Sequence, residues 1–114
     1  MQYMLAIQYD PTIPHDGSPS RQKLHAALSE EMRTAGHFRG GGGLAPVENY
    51  RKRIVIEDGE QVFTDGPFAE TKEVLGGYFL VECSEAEAMA WAKRIELDNR
   101  SWVELRAAWI DPKG

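Results

Sequence analysis

The sequence predicts an α+β fold of the split βαβ type, an antiparallel sheet with two helices over one face. Three observations carry this. Two stretches with apolar residues at helical spacing alternate with short runs rich in β-branched and aromatic residues, in the order strand, helix, strands, helix, strand. Asp58-Gly59 joins two of these runs as a two-residue hairpin turn. The run "GGYFLVEC" has the continuous apolar character of a buried strand.

Each element has its own justification. Tyr3, Leu5, Ile7 and Tyr9 alternate onto one face of a first strand, which Asp10-Pro11 closes. "PTIPHDGSPS" reads as a Pro- and Gly-rich loop. Ser18-Pro19 predicts the start of the first helix, with Ser as N-cap and Pro at the first helical position. Leu24, Ala27, Leu28, Met32 and Ala35 form its apolar stripe. Gly36 is the expected C′ residue, and Arg33 sits in the last turn where the helix dipole favours a cation. The four glycines of "HFRGGGGL" resemble a phosphate cradle, yet no Gly-Lys-Ser/Thr and no helical pattern follow. They read instead as a flexible or closely packed strand-to-loop segment, where backbone can approach a ligand or another subunit. "YRKRIVIEDGEQVFTDG" is the hairpin. Ser84 and Glu87 form a capping box opening the second helix, whose apolar face is Ala88, Trp91, Ala92 and Ile95. "WVELRAAWI" is the last strand, with Trp102, Glu104 and Arg106 opposed to Val103, Leu105 and Ala107. Helices on one face leave the other bare, and Tyr3 and Tyr9 on the first strand with Trp109 and Ile110 on the last predict that a second copy covers it, giving a homodimer.

Composition narrows the function. A chain of 114 residues is one domain, 1–114, long enough to bury a core. Thirteen basic against 18 acidic residues give a net charge of −5, without the basic footprint of a nucleic-acid binder. "RKR" at 51–53 stands at a strand mouth with no aromatic interleaving. No apolar run is long enough to span a membrane, and the start has neither a basic n-region nor a long apolar h-region. The lone Cys83 has no internal disulfide partner and reads as a small buried hydrophobe. The expectation is a cytoplasmic protein with no nucleic-acid and no membrane partner. His15, Asp16 and Asp10 share a loop, but no His-x₃-His or Cys-x₂-Cys spacing supports a metal site, and no cofactor motif is present. No nucleophile elbow or Ser-His-Asp order is present either.

The stretch "TDGPFAETKEVLGGYFLVE", with Asp65, Gly66, Pro67, Phe68, Lys72, Glu73 and Gly76-Gly77, resembles the signature of the DGPF-domain proteins, a subgroup of the YCII-related family. "YMLAIQYD", "GGGGLAP" and "WVELRAAW" resemble that family's opening, glycine-rich and closing strands, so the resemblance spans nearly the whole chain. It implies a ferredoxin-like protomer that pairs through its sheets into a dimeric α/β barrel, and a family of unsettled activity. Some relatives are suspected of small-molecule chemistry through a helix His paired with an Asp after the central hairpin. The matching positions are His25, about three turns before Gly36, and Asp65, a similar distance before Gly76.

His25 lies at the edge of the predicted stripe, where an imidazole has one nitrogen in a pocket and one in water. The functional reading is a general base, the role imidazole chemistry suits, with Asp65 fixing its tautomer. Two plainer readings stand beside this: a boundary His bonded to solvent, and an Asp that caps a turn through backbone N–H groups. The functional expectation is a small-molecule enzyme of lyase or hydrolase type, using a cleft between sheet and first helix. The alternative is a non-catalytic ligand-binding or regulatory homodimer, in keeping with the genomic company such relatives keep with alternative sigma factors.

Overall fold

A computed structural model describes residues 1–45, 52–65 and 72–109. Pro46, Arg51, Gly66, Pro67, Phe68, Glu70 and Ile110, all noted in the sequence, lie outside these described residues. Eight elements follow in chain order: β1 (Gln2–Tyr9), α1 (Gln22–Thr34), β2 (Phe38–Gly43), β3 (Lys52–Glu57), β4 (Glu60–Asp65), β5 (Val74–Glu82), α2 (Glu85–Ala92) and β6 (Ser101–Ala108). Four strands form one antiparallel sheet in the order β2-β5-β1-β6, and β3 and β4 form a separate two-stranded sheet. The protein is therefore α+β with an antiparallel sheet and two helices, as its element order implies.

The sheet register explains where the core sits. Leu5 pairs with Phe79 on one side and Leu105 on the other, so these three share a face. Tyr3, Val81, Ile7 and Val103 continue that face, and Leu28 and Met32 of α1 pack on it with Ala88 of α2 and Ile95 just beyond. Leu5, Met32 and Val81 are fully enclosed. The opposite face carries Met4, Tyr78, Leu80 and Trp102, all only half-buried, and no helix covers it among the described residues.

Local sequence sets several boundaries. At Gly36, φ is +78°, and the N–H groups of Gly36 and His37 bond back to the carbonyls of Arg33 and Met32, a Schellman end that L side chains rarely permit. At the hairpin, Asp58 and Gly59 both have positive φ, as the tightest two-residue turn requires.

The start of α1 differs from the sequence expectation. The helix begins at Gln22, with Arg21 in the N-cap position and no side-chain cap. Ser18 instead takes part in the loop: its N–H donates to Asp16, and its hydroxyl accepts from Arg21 Nη1 at 3.1 Å. The stripe shifts with it. Leu24, Ala27 and Ala35 are exposed, while His25, Leu28, Ser29 and Met32 face inward. His25 thus belongs to the inner face of the helix.

The capping box at α2 forms as expected: Glu87 N–H donates to Ser84 Oγ at 3.1 Å, and Ser84 N–H donates to Glu87 Oε1 at 3.0 Å. The Ser84 backbone N–H and then its side chain, joined by the nearby His37, hold the Glu87 carboxyl below the ordinary range. A carboxylate with a depressed folded pKa stabilises the fold above its unfolded value, and the contribution is lost as pH falls through the folded one. Ser84→Ala is expected to destabilise the protein by about 1 kcal/mol at neutral pH, read by urea unfolding, with the gap to the parent narrowing in acid as Glu87 protonates.

Candidate functional site

A cleft on the helix-covered side has a volume of about 540 Å³. It opens between the N-terminal half of α1 and the sheet end where β1, β2 and β5 meet. Its floor has little side chain, because Gly43 of β2 pairs with Gly77 of β5. Close packing dictates part of this. A Cβ on Gly76 would stand 3.0 Å from the Tyr9 ring, and one on Gly77 would stand 3.1 Å from the Gly42 carbonyl oxygen. In β2 itself only Gly41 is closely packed, since a Cβ there would stand 2.8 Å from the Tyr78 carbonyl oxygen, whereas one on Gly42 or Gly43 meets nothing within 4 Å.

His25 lines the cleft from α1. Its ring stands edge-on to Phe79, with centroids 5.9 Å apart, and Nε2 lies 3.5 Å from the Glu96 carbonyl oxygen, at the outer limit of a hydrogen bond. A carbonyl oxygen only accepts, so this contact favours the proton on Nε2 and leaves the Nδ1 lone pair free for a proton acceptor's role.

Two loops complete the rim. The segment before α1 brings His15 and Arg21, and the turn after α2 brings Asp98 and Arg100. The loops are tied together: Asn99 Nδ2 donates to the Pro14 carbonyl at 2.9 Å, and His15 Nε2 lies 3.5 Å from Asp98 Oδ2. Burial works against ionisation of Asp98, whose side chain is 17% exposed. The Ser101 hydroxyl, the Arg100 backbone N–H at 3.1 Å and the Arg100 and Arg21 charges outweigh it, and the carboxyl is held below the usual range. The Arg100 guanidinium lies over the Tyr9 ring, 4.9 Å from its centroid.

Of the pair expected from sequence, the fold brings His25 to the cleft but not Asp65. Asp65 ends β4 on the separate hairpin, is highly exposed, lies outside the cleft lining and is 3.8 Å from Lys52 Nζ. Two acidic residues share the cleft lining with His25, Glu96 and Asp98, and sequence reading passed over both together with Arg21 and Arg100. The one local signal was the polar turn "LDNRS" between α2 and β6. Among the other residues weighed, His15 Nδ1 accepts the Gly17 N–H and Asp16 accepts the Ser18 N–H, both as turn formers. His37 accepts from Trp91 Nε1 at 3.0 Å, remote from the cleft. Cys83 packs against the core, where burial and Glu87 push its thiol up and away from the reactive thiolate.

Fold and site together define an α+β protein with a histidine-bearing cleft between sheet and first helix. The chain belongs to the YCII-related family, whose domain it matches over residues 1–108. It is also similar to an uncharacterized protein of Rhizobium meliloti (strain 1021), with 46% identity over 44 residues, covering 38% of this chain and 36% of that protein.

Proposed function

We propose that the protein is a small-molecule enzyme of lyase or hydrolase type, from the DGPF-bearing branch of its family, in which His25 acts as general base on a substrate held in the cleft. The observation that supports this most directly is the His25 ring itself, edge-on to Phe79 with Nε2 turned to the Glu96 carbonyl 3.5 Å away and Nδ1 left to accept a proton. A base needs that combination of fixed orientation and an available lone pair. The experiment is to incubate the purified protein with a small-molecule extract and follow depletion and product formation by mass spectrometry. Turnover by the parent and its loss in His25→Asn supports the reading, and equal depletion by both ends it.

The same reading takes the protomer as ferredoxin-like and the working unit as a cytoplasmic homodimer, closed sheet to sheet as an α/β barrel. Its support is the half-buried apolar face of Met4, Tyr78, Leu80 and Trp102 and the fully open Trp109. In such a dimer the His25–Asp65 pair is intermolecular: the hairpin, whose open face carries Ile54, Ile56 and Phe63, brings Asp65 to the partner's cleft. Light scattering at micromolar concentration should return about twice the 12.8 kDa of one chain. A 12.8 kDa particle rules out the barrel and, with it, the pair.

A further inference from the structure

The cleft carries a charge pattern opposite to that of the whole molecule. The chain has a net charge of −5, yet three arginines, Arg21, Arg33 and Arg100, line the cleft against two acidic residues, Glu96 and Asp98. Arg33 is engaged outside, by Glu30 at 2.6 Å and over the Phe38 ring. Arg21 and Arg100 have no carboxylate in salt-bridge contact among the described residues. Arg21 reaches only Ser18 Oγ at 3.1 Å and the Pro19 carbonyl at 3.5 Å.

Arg100 is the more telling of the two. A guanidinium has five N–H donors in a fixed fork. Here one reaches the Ile13 carbonyl at 3.4 Å, the plane lies over Tyr9, and Nε is shut away from solvent with no acceptor among the described residues. Such a fork matches a carboxylate, which accepts two parallel bonds along one edge.

We propose that the cleft binds a small monocarboxylate with a flat carbon skeleton, its carboxylate held by Arg100 with Arg21 beside it and its body laid along the glycine floor toward His25. A small turn of the Arg100 side chain lets its edge meet the ligand and gives the Nε–H an acceptor. The flat body follows from the walls: Gly43, Gly76 and Gly77 project no side chain, while the Tyr9 and Phe79 rings stand at the sides. The single charge follows from Asp98, an ionised carboxylate in the same cleft that opposes a second negative charge on the ligand. This substrate class rests on the cleft being the ligand site, and not on whether His25 does chemistry there.

The test is titration by amide NMR with benzoate, benzamide and inorganic phosphate. Benzoate should give saturable shifts at Arg100, Gly43 and Gly77, with benzamide and phosphate each at least about tenfold weaker. Arg100→Gln should lose that preference for benzoate over benzamide. Gly43→Val is the steric control. Gly43 lies on an edge strand, and a Cβ there meets nothing within 4 Å, so the variant should fold and lose benzoate binding by filling the floor. His25→Asn should still bind benzoate, so a protein without turnover leaves this inference standing. Equal binding of benzamide, tighter binding of phosphate, full benzoate affinity in either Arg100→Gln or Gly43→Val, or no saturable shift with any probe overturns it.

Discussion

His25→Asn is expected to lower turnover of the cleft's substrate by about 10²–10⁴-fold while leaving the melting curve nearly unchanged. Asparagine is smaller than the imidazole and still polar, so it keeps a hydrogen-bonding group near the Glu96 carbonyl. What it lacks is a basic nitrogen. The edge contact of the ring with Phe79 is also lost, a modest stability term because His25 is only half-buried. The comparison is parent against variant in a single-substrate assay, once depletion has identified the substrate. A fall in kcat without a matching rise in KM marks an interaction made in the transition state. A variant retaining more than a tenth of the parent kcat would mean the base lies elsewhere. Asp65→Asn belongs in the same assay: a fall approaching that of His25→Asn supports the intermolecular pair, and parent-like turnover assigns Asp65 to the hairpin alone.

The second large effect is on stability, and it separates two leucines one turn apart. Leu28→Ala is expected to destabilise the protein by about 2–4 kcal/mol, since Leu28 is 5% exposed in the core beneath α1 and its loss leaves a cavity. That is a sizeable fraction of the roughly 5–15 kcal/mol available to a domain of this kind. Leu24→Ala should change stability by no more than about 0.5 kcal/mol, because Leu24 is 54% exposed. Urea unfolding of the two variants gives the answer directly. Comparable losses would mean that Leu24 is buried in solution, as the stripe read from the sequence had placed it, or covered by a partner.

That contrast shows where local pattern suffices and where it does not. Features fixed by a few adjacent residues were legible: the positive φ required at Gly36, the Asp58-Gly59 turn and the reciprocal bonds of Ser84 and Glu87. The helix start was not. Ser18-Pro19 is a sound local signal, but an N-cap contributes only about 1 kcal/mol. Contacts from far along the chain, Asn99 to Pro14 and Arg100 to Ile13, hold the preceding segment against the cleft and defer the helix to Gln22. Moving the start by one turn is not what turned Leu24 outward. The face is chosen by the sheet, and a stripe containing both Leu24 and Leu28 left the direction undetermined. For the site, His25 could be found because it matches the family's helix position; the predicted stripe set it only at its edge, and the structure turns Leu24, Ala27 and Ala35 of that stripe outward. Asp98 and Arg100 lie more than 70 residues away and reach the cleft only through the strand order, which joins β6 to β1. No spacing rule links such positions in one chain.

The division into two sheets gives the molecule two cooperative units of unequal strength. The β3–β4 hairpin makes its ladder within itself, from Lys52–Asp65 to Glu57–Glu60, and a lone pair of strands is at best marginally stable in water. The four-stranded sheet shares its core with both helices, so its central strand β1 opens only when the whole fold does. The hairpin is therefore expected to open at a lower free energy than the four-stranded sheet, a difference that native-state amide exchange reads directly. Loss of the hairpin leaves the sheet standing, whereas loss of the sheet takes away the frame that positions the hairpin. Sequence change in β3 and β4 is buffered from global stability, and this is the part of the chain where new binding specificity can be tried without unfolding the rest.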